Sequence, residues 1–112
     1  MITGYIKRPG EDPERGKIDP SLKWMTKTLD GPIGAVQVKL TSGTEISIMV
    51  NSSSAFFALP YNFTVCPTID KRTWIDIVGP CVIVGRDAAN NMVSVDLDEK
   101  EIAELISYPY EV

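Results

Sequence analysis

The chain has no histidine and only two cysteines among its 112 residues. Without imidazole, neither a Ser-His-Asp nor a Cys-His triad can be assembled, and histidine serves neither as metal ligand nor as acid–base group. Cys66 and Cys81 lack metal-ligand spacing and lie in apolar stretches, the setting of buried thiols. No Gly-x-x-x-x-Gly-Lys-Ser/Thr loop cradles a phosphate, and no Gly-x-Gly-x-x-Gly follows a strand. Nothing approaches the roughly 20 apolar residues that span a bilayer; the longest run, 75–84, is interrupted by Asp76, Gly79 and Pro80. The N-terminus shows no charged-then-apolar leader pattern. A basic excess is also missing: the net charge is −4. Lys7, Arg8, Arg15, Lys17, Lys23 and Lys27 alternate with Glu11, Asp12, Glu14, Asp19 and Asp30, so no nucleic-acid footprint remains. These absences predict a cytoplasmic protein without catalytic residues, metal or cofactor, acting on neither nucleic acid nor membrane.

What is present is an ordinary globular composition, 44% hydrophobic and 23% charged, in a chain long enough for one domain, 1–112. Residues 2–7 read as a strand. Residues 9–17, with proline, glycine and alternating charge, read as a solvated loop. Asp19-Pro20 predicts a helix start, with Leu22, Met25, Thr26 and Leu29 on one face and Gly31-Pro32 as the stop. Residues 33–40 and 44–50 alternate apolar and polar around Thr41-Ser42-Gly43, a β-hairpin with one wet face. Strands are predicted over 73–78 and 81–85, the all-apolar Val82-Ile83-Val84 marking a central one. Residues 92–97 form a last strand or an extended lead-in. Asp98-Glu99-Lys100-Glu101 has capping-box spacing, with Ile102, Leu105 and Ile106 as the stripe of a short helix. The acidic surplus lies here: Asp96, Asp98, Glu99, Glu101, Glu104 and Glu111, against Lys100 alone. The expected fold is α+β: a small, mainly antiparallel sheet with a hairpin, packed by one helix in the N-terminal half and one short C-terminal helix.

With those elements placed, the chain resembles a family of short proteins from bacteriophages and mobile elements catalogued only as a domain of unknown function. The resemblance is carried by Pro9-Gly10-Glu11, Ile18-Asp19 with Leu22, Gly31-Pro32-Ile33 with Ala35-Val36, Asn51, Leu59-Pro60 with Asn62, and Ile75-Asp76-Ile77-Val78-Gly79-Pro80 with Ile83-Val84-Gly85. It implies an origin in a phage or mobile element, hence a bacterial host cytoplasm, and no activity.

Candidate residues follow from side-chain chemistry. Asn51, Ser52, Ser53 and Ser54 gather small hydrogen-bonding groups after a strand; Tyr61, Asn62, Arg72 and Trp74 would add a cation and stacking surfaces around a nucleotide-type ligand. The plainer reading is a loop whose serines cap a helix. Trp24 and Tyr5 are interface anchors if exposed. Phe56-Phe57 and Val82-Ile83-Val84 present more apolar surface than one small sheet hides, which predicts a homodimer. Asp76 with Asp87, and Asp96 with Asp98, are the carboxylate pairs available for catalysis or a hard cation, but turns, caps and solvent account for them. Three functions are expected in descending order: binding a host protein, such as a defence component; sequestering a nucleotide-type small molecule; and an enzyme using carboxylates or lysine.

Overall fold

A computed structural model describes residues 1–53, 58–66 and 74–108. Ser54, Phe56, Phe57 and Arg72 lie outside the described residues. Strands β1 (Ile2–Lys7), β2 (Glu14–Ile18), β3 (Ile33–Lys39), β4 (Glu45–Asn51) and β7 (Cys81–Arg86) form an antiparallel sheet in the order β2-β1-β7-β4-β3, and β8 (Met92–Val93) pairs with the end of β7. Strands β5 (Tyr61–Val65) and β6 (Ile75–Val78) form a second, two-stranded antiparallel sheet. Helices α1 (Leu22–Leu29) and α2 (Glu99–Leu105) complete the α+β fold.

The large sheet is covered on both faces. Val82 and Val84 pack with Ile18, Met25 and Leu29 on the α1 side, while Cys81 and Ile83 pack with Phe63, Val65, Ile77 and Leu105 on the other. Successive strand residues point to opposite faces, so a central strand buried twice must be apolar throughout. The Val82-Ile83-Val84 run is therefore consumed inside the chain and leaves no surplus for a dimer to bury.

Four expectations change. Residues 14–18 were expected in a solvated loop and form β2 instead, with only Ile18 buried. Glu, Arg, Gly and Lys have poor strand propensity, and backbone pairing of β2 with β1 (Tyr5 opposite Arg15) overrides it. The helix starts one cap later than Asp19 predicts. Ser21 Oγ accepts from the Trp24 amide, and Asp19 Oδ1 accepts from the Ser21 amide at 2.9 Å, which holds the Asp19 carboxyl below its ordinary value. At the other end the left-handed residue is Asp30 (φ 59°), not Gly31. Glycine at 31 answers to packing: a Cβ there would lie 2.5 Å from Asn51 Nδ2. Finally, Leu22 is 71% exposed, and the buried stripe runs through Met25 and Leu29 with Trp24 and Thr28 half-buried. Periodicity fixes relative angles around a helix but not where the sheet beneath it ends.

The pairing of the hairpin and the C-terminal helix are as the sequence reads. The expected wet face, however, is exposed only on β3, at Ala35, Gln37 and Lys39; on β4 Ser47 is buried and Met49 half-buried, because the α1 side of the sheet is covered. Asp98 accepts from the Glu101 amide at 2.8 Å, and Glu101 reaches back to the Asp98 amide. The acidic residues of α2 do further work. Glu101 Oε2 accepts from Thr44 Oγ1 (2.7 Å) and Ser42 Oγ (2.9 Å), and Glu104 Oε2 accepts from the Thr41 amide (2.9 Å). These bonds pin α2 to the β3–β4 turn. They also hold the Glu101 carboxyl below its ordinary value, Thr44 first, then the Asp98 amide and Ser42. A carboxyl depressed on folding adds stability that is complete above its unfolded pKa and is lost as pH falls through its folded one. Unfolding followed by circular dichroism should therefore show stability declining as pH drops below the usual glutamate range. Glu101→Gln should flatten that part of the acid limb; an unchanged limb would place the acid sensitivity elsewhere.

Candidate functional site

Lys7 ends β1 on the same face as Tyr5, because the two are two residues apart in a strand. That face is covered by β5, and the lysine is wholly buried, 0% exposed. Its Nζ donates to Asn62 Oδ1 (2.8 Å) and to the Arg8 carbonyl (3.1 Å). The ring of Phe63 has its centroid 5.8 Å from Nζ, and that of Tyr108 5.6 Å. Phe63 is buried; Tyr108 is 56% exposed and forms the outer cover. Asn62 is held from its other end: Nδ2 donates to the Lys7 carbonyl (2.9 Å) and the Gly79 carbonyl (2.8 Å). Two carbonyls can accept only from the amide NH₂, so Oδ1 must face the ammonium. Cys81 stands opposite Lys7 in the ladder. Burial pushes its thiol up to about 12, against a smaller lowering by Lys7, so the sulfur is neutral. Neither described ion pair includes Lys7. The result is a buried cation held by neutral groups.

On the outer side of β5, Tyr61 Oη lies 2.6 Å from Thr64 Oγ1, and Thr64 Oγ1 donates to Asp76 Oδ1 (2.8 Å). An ionised carboxylate only accepts, so the hydroxyl of Thr64 points at Asp76 and that of Tyr61 at Thr64. Asp76 is thus tied to its cross-strand neighbour, while Asp87 accepts from the amides of Asn91 and, with less effect, Ala89 within its own turn, which keeps its carboxyl below the ordinary range. Asp96 bridges Arg15 at 3.2 Å, and Asp98 caps α2. Among the described residues no group of three or more Cys, Asp or Glu is placed to hold a metal, and no helix is long and apolar enough to cross a membrane.

The remaining candidates divide between two regions. Asn51 is buried; its Nδ2 donates to the carbonyls of Leu29 and Asp30, both at 3.1 Å, and its Oδ1 accepts from the Ser53 amide at 2.8 Å. Ser52 donates its hydroxyl to the Pro32 carbonyl. Asn51 therefore closes the C-terminus of α1, satisfying carbonyls that a helix end leaves open. Tyr61 and Asn62 belong to the small sheet, and Trp74, 52% exposed, precedes β6. Beside Asn51, two adjoining cavities of about 370 and 320 Å³ share Leu29 and Pro80, the second also lined by Arg8, Glu11 and Pro60. Tyr5, expected as a surface anchor, is 4% exposed: its hydroxyl accepts from the Leu97 amide at 2.9 Å, drawing residues 95–97 across the sheet. Trp24 is half-buried against the α1-side core. Cys81 is a buried thiol and Cys66 is half-buried. Lys7 escaped the sequence reading. Its signal was a lysine in phase with Tyr5 on an otherwise inward face.

The outer edge of β3 is the other feature of note. The Ser52 amide donates to the Pro32 carbonyl, and the Leu40 amide to the Thr44 carbonyl. Hydrogen-bonded pairs alternate along an antiparallel ladder, so the even-numbered residues 32 to 40 bond β4. The N–H and C=O groups of Ile33, Ala35, Gln37 and Lys39 consequently point away from the sheet. No described strand pairs with them.

Residues 2–107 match the model of a family described as "Domain of unknown function (DUF3846)". The chain belongs to this family. The match covers every described element of both sheets and both helices, Lys7, Asn62 and Asn51 included. No curated protein and no solved structure matches the chain.

Proposed function

We propose that this member of the family acts by binding a protein, whose extended segment adds to the sheet at the outer edge of β3. The supporting observation is the contrast between the two edges. An open edge is a template for another strand, and proteins blunt it with charge, proline or a bulge. The β2 edge is guarded by Glu14, Arg15 and Lys17 after Pro13, with Arg15 further tied to Asp96. The β3 edge offers an unbulged seven-residue strand whose single charge is the terminal Lys39. Main-chain pairing supplies affinity in such complexes, and exposed Ala35 and Gln37 leave room for a second backbone. Following the resemblance to phage and mobile-element proteins, the partner is a protein of the bacterial host, a defence component being the leading class.

Proline scanning tests this reading by its parity. Ala35→Pro deletes an outward amide and spares every bond to β4, so stability should change by no more than about 1 kcal/mol. Val36→Pro deletes a ladder bond and strands its partner, and should destabilise by roughly 1–3 kcal/mol, more than Ala35→Pro. Affinity capture from host lysate should enrich a partner with wild type and lose it with Ala35→Pro. Equal capture by both would remove β3 from the interface. Sedimentation velocity on the same pair separates the other occupant: association of the pure wild type, absent in Ala35→Pro, would make it a second copy of this chain.

A further inference from the structure

We propose that Lys7 is the receiving group of a binding site for a phosphate-bearing small ligand, roofed by Tyr108. An ammonium has three N–H groups, and here two go to Asn62 Oδ1 and the Arg8 carbonyl. The third has no oxygen partner among the described residues, and the rings of Phe63 and Tyr108 lie 5.8 and 5.6 Å from Nζ. A ring face is a weaker partner for an ammonium than an oxyanion, above all in a site from which water is excluded. The charge has no carboxylate partner and the thiol opposite it is neutral, so among the described residues no negative group competes with an arriving anion.

The niche is also built in advance. Asn62 is clamped by two backbone carbonyls and cannot turn its NH₂ toward the ligand. Phe63, 0% exposed, forms a fixed floor. Tyr108 alone is half open to solvent, one residue past the Thr64–Ser107 backbone bridge. The cover that must leave is thus the most exposed of the described groups around Nζ. Free phosphate and the phosphate of a nucleotide share this chemistry.

The experiment is a titration of ¹⁵N-labelled protein with inorganic phosphate and, separately, adenosine monophosphate, against sodium chloride of equal ionic strength. The side-chain amide of Asn62 and the ring signals of Tyr108 should shift with the phosphates and not with chloride. Stronger binding of the nucleotide would identify it as the source; equal binding would identify the free ion. Lys7→Met should abolish the shifts. Should that variant fail to fold, Tyr108→Ala carries the test, because an exposed ring is removed. With no cover to displace, it should bind up to about tenfold more tightly if the closed arrangement outweighs the open one by that factor. No movement of the Asn62 amide in either wild type or Tyr108→Ala would overturn the proposal. The outcome is independent of β3, since Ala35→Pro should titrate as wild type does.

Discussion

Asn62→Leu should lower stability by roughly 3 kcal/mol, and adding Lys7→Met should recover the part owed to the stranded ammonium while the two carbonyls stay unpaired. The single change strips the buried ammonium of its 2.8 Å acceptor and leaves the carbonyls of Lys7 and Gly79 without their donor. Removing one partner of a buried charged group leaves the full desolvation cost of the other, whereas replacing both with apolar side chains of similar volume is close to neutral. The double variant should accordingly outlast the single one. Urea unfolding followed by circular dichroism measures both; for a domain of this size the single variant should melt on the order of 12 °C lower. A double variant no more stable than Asn62→Leu would show that Asn62 serves the two carbonyls alone. Lys7 would then be held by its rings.

Asn51→Ala should cost about 2–3 kcal/mol by a different route. The side chain is buried, and it donates to the last carbonyls of α1 while accepting from the Ser53 amide. Alanine leaves those groups buried and unpaired, each at a cost of about 1–3 kcal/mol, relieved in part by water. Hydrogen exchange should accelerate at the Ser53 amide and through the last turn of α1, with the β1–β7 ladder less affected. This distinguishes a cap from a ligand group: a residue kept for a ligand would leave stability unchanged or raised when replaced. Gly31 belongs to the same clamp, since a side chain there would strike Asn51.

Both residues show where reading a sequence stops. Asn51 was singled out for its small polar chemistry, which is the same whether the amide meets a ligand or a helix end. Only the approach of α1 and β4 decides between them. Lys7 was read as one of a cluster of surface bases, because a lysine in a strand is normally solvated. Its burial follows from β5 crossing β1, a contact between residues 55 positions apart. The acidic stretch from Asp96 onward reads as solvent-facing charge, yet Glu101 and Glu104 reach the hydroxyls and amide of the β3–β4 turn.

Local signals fared differently. The hairpin, the central strand and the capping box of α2 each rest on residues close in sequence, where alternation, turn chemistry and cap spacing act directly. Those the sequence determined by itself, together with the α+β class and the family. The tertiary structure alone decided the making of β2, the burial of Tyr5 and Lys7, and that no described strand pairs with the outer edge of β3. The physical reason is common to all of these. Hydrogen bonding and burial are properties of pairs of segments, and a chain read one residue at a time carries each segment's half of the pair without saying which other segment will meet it.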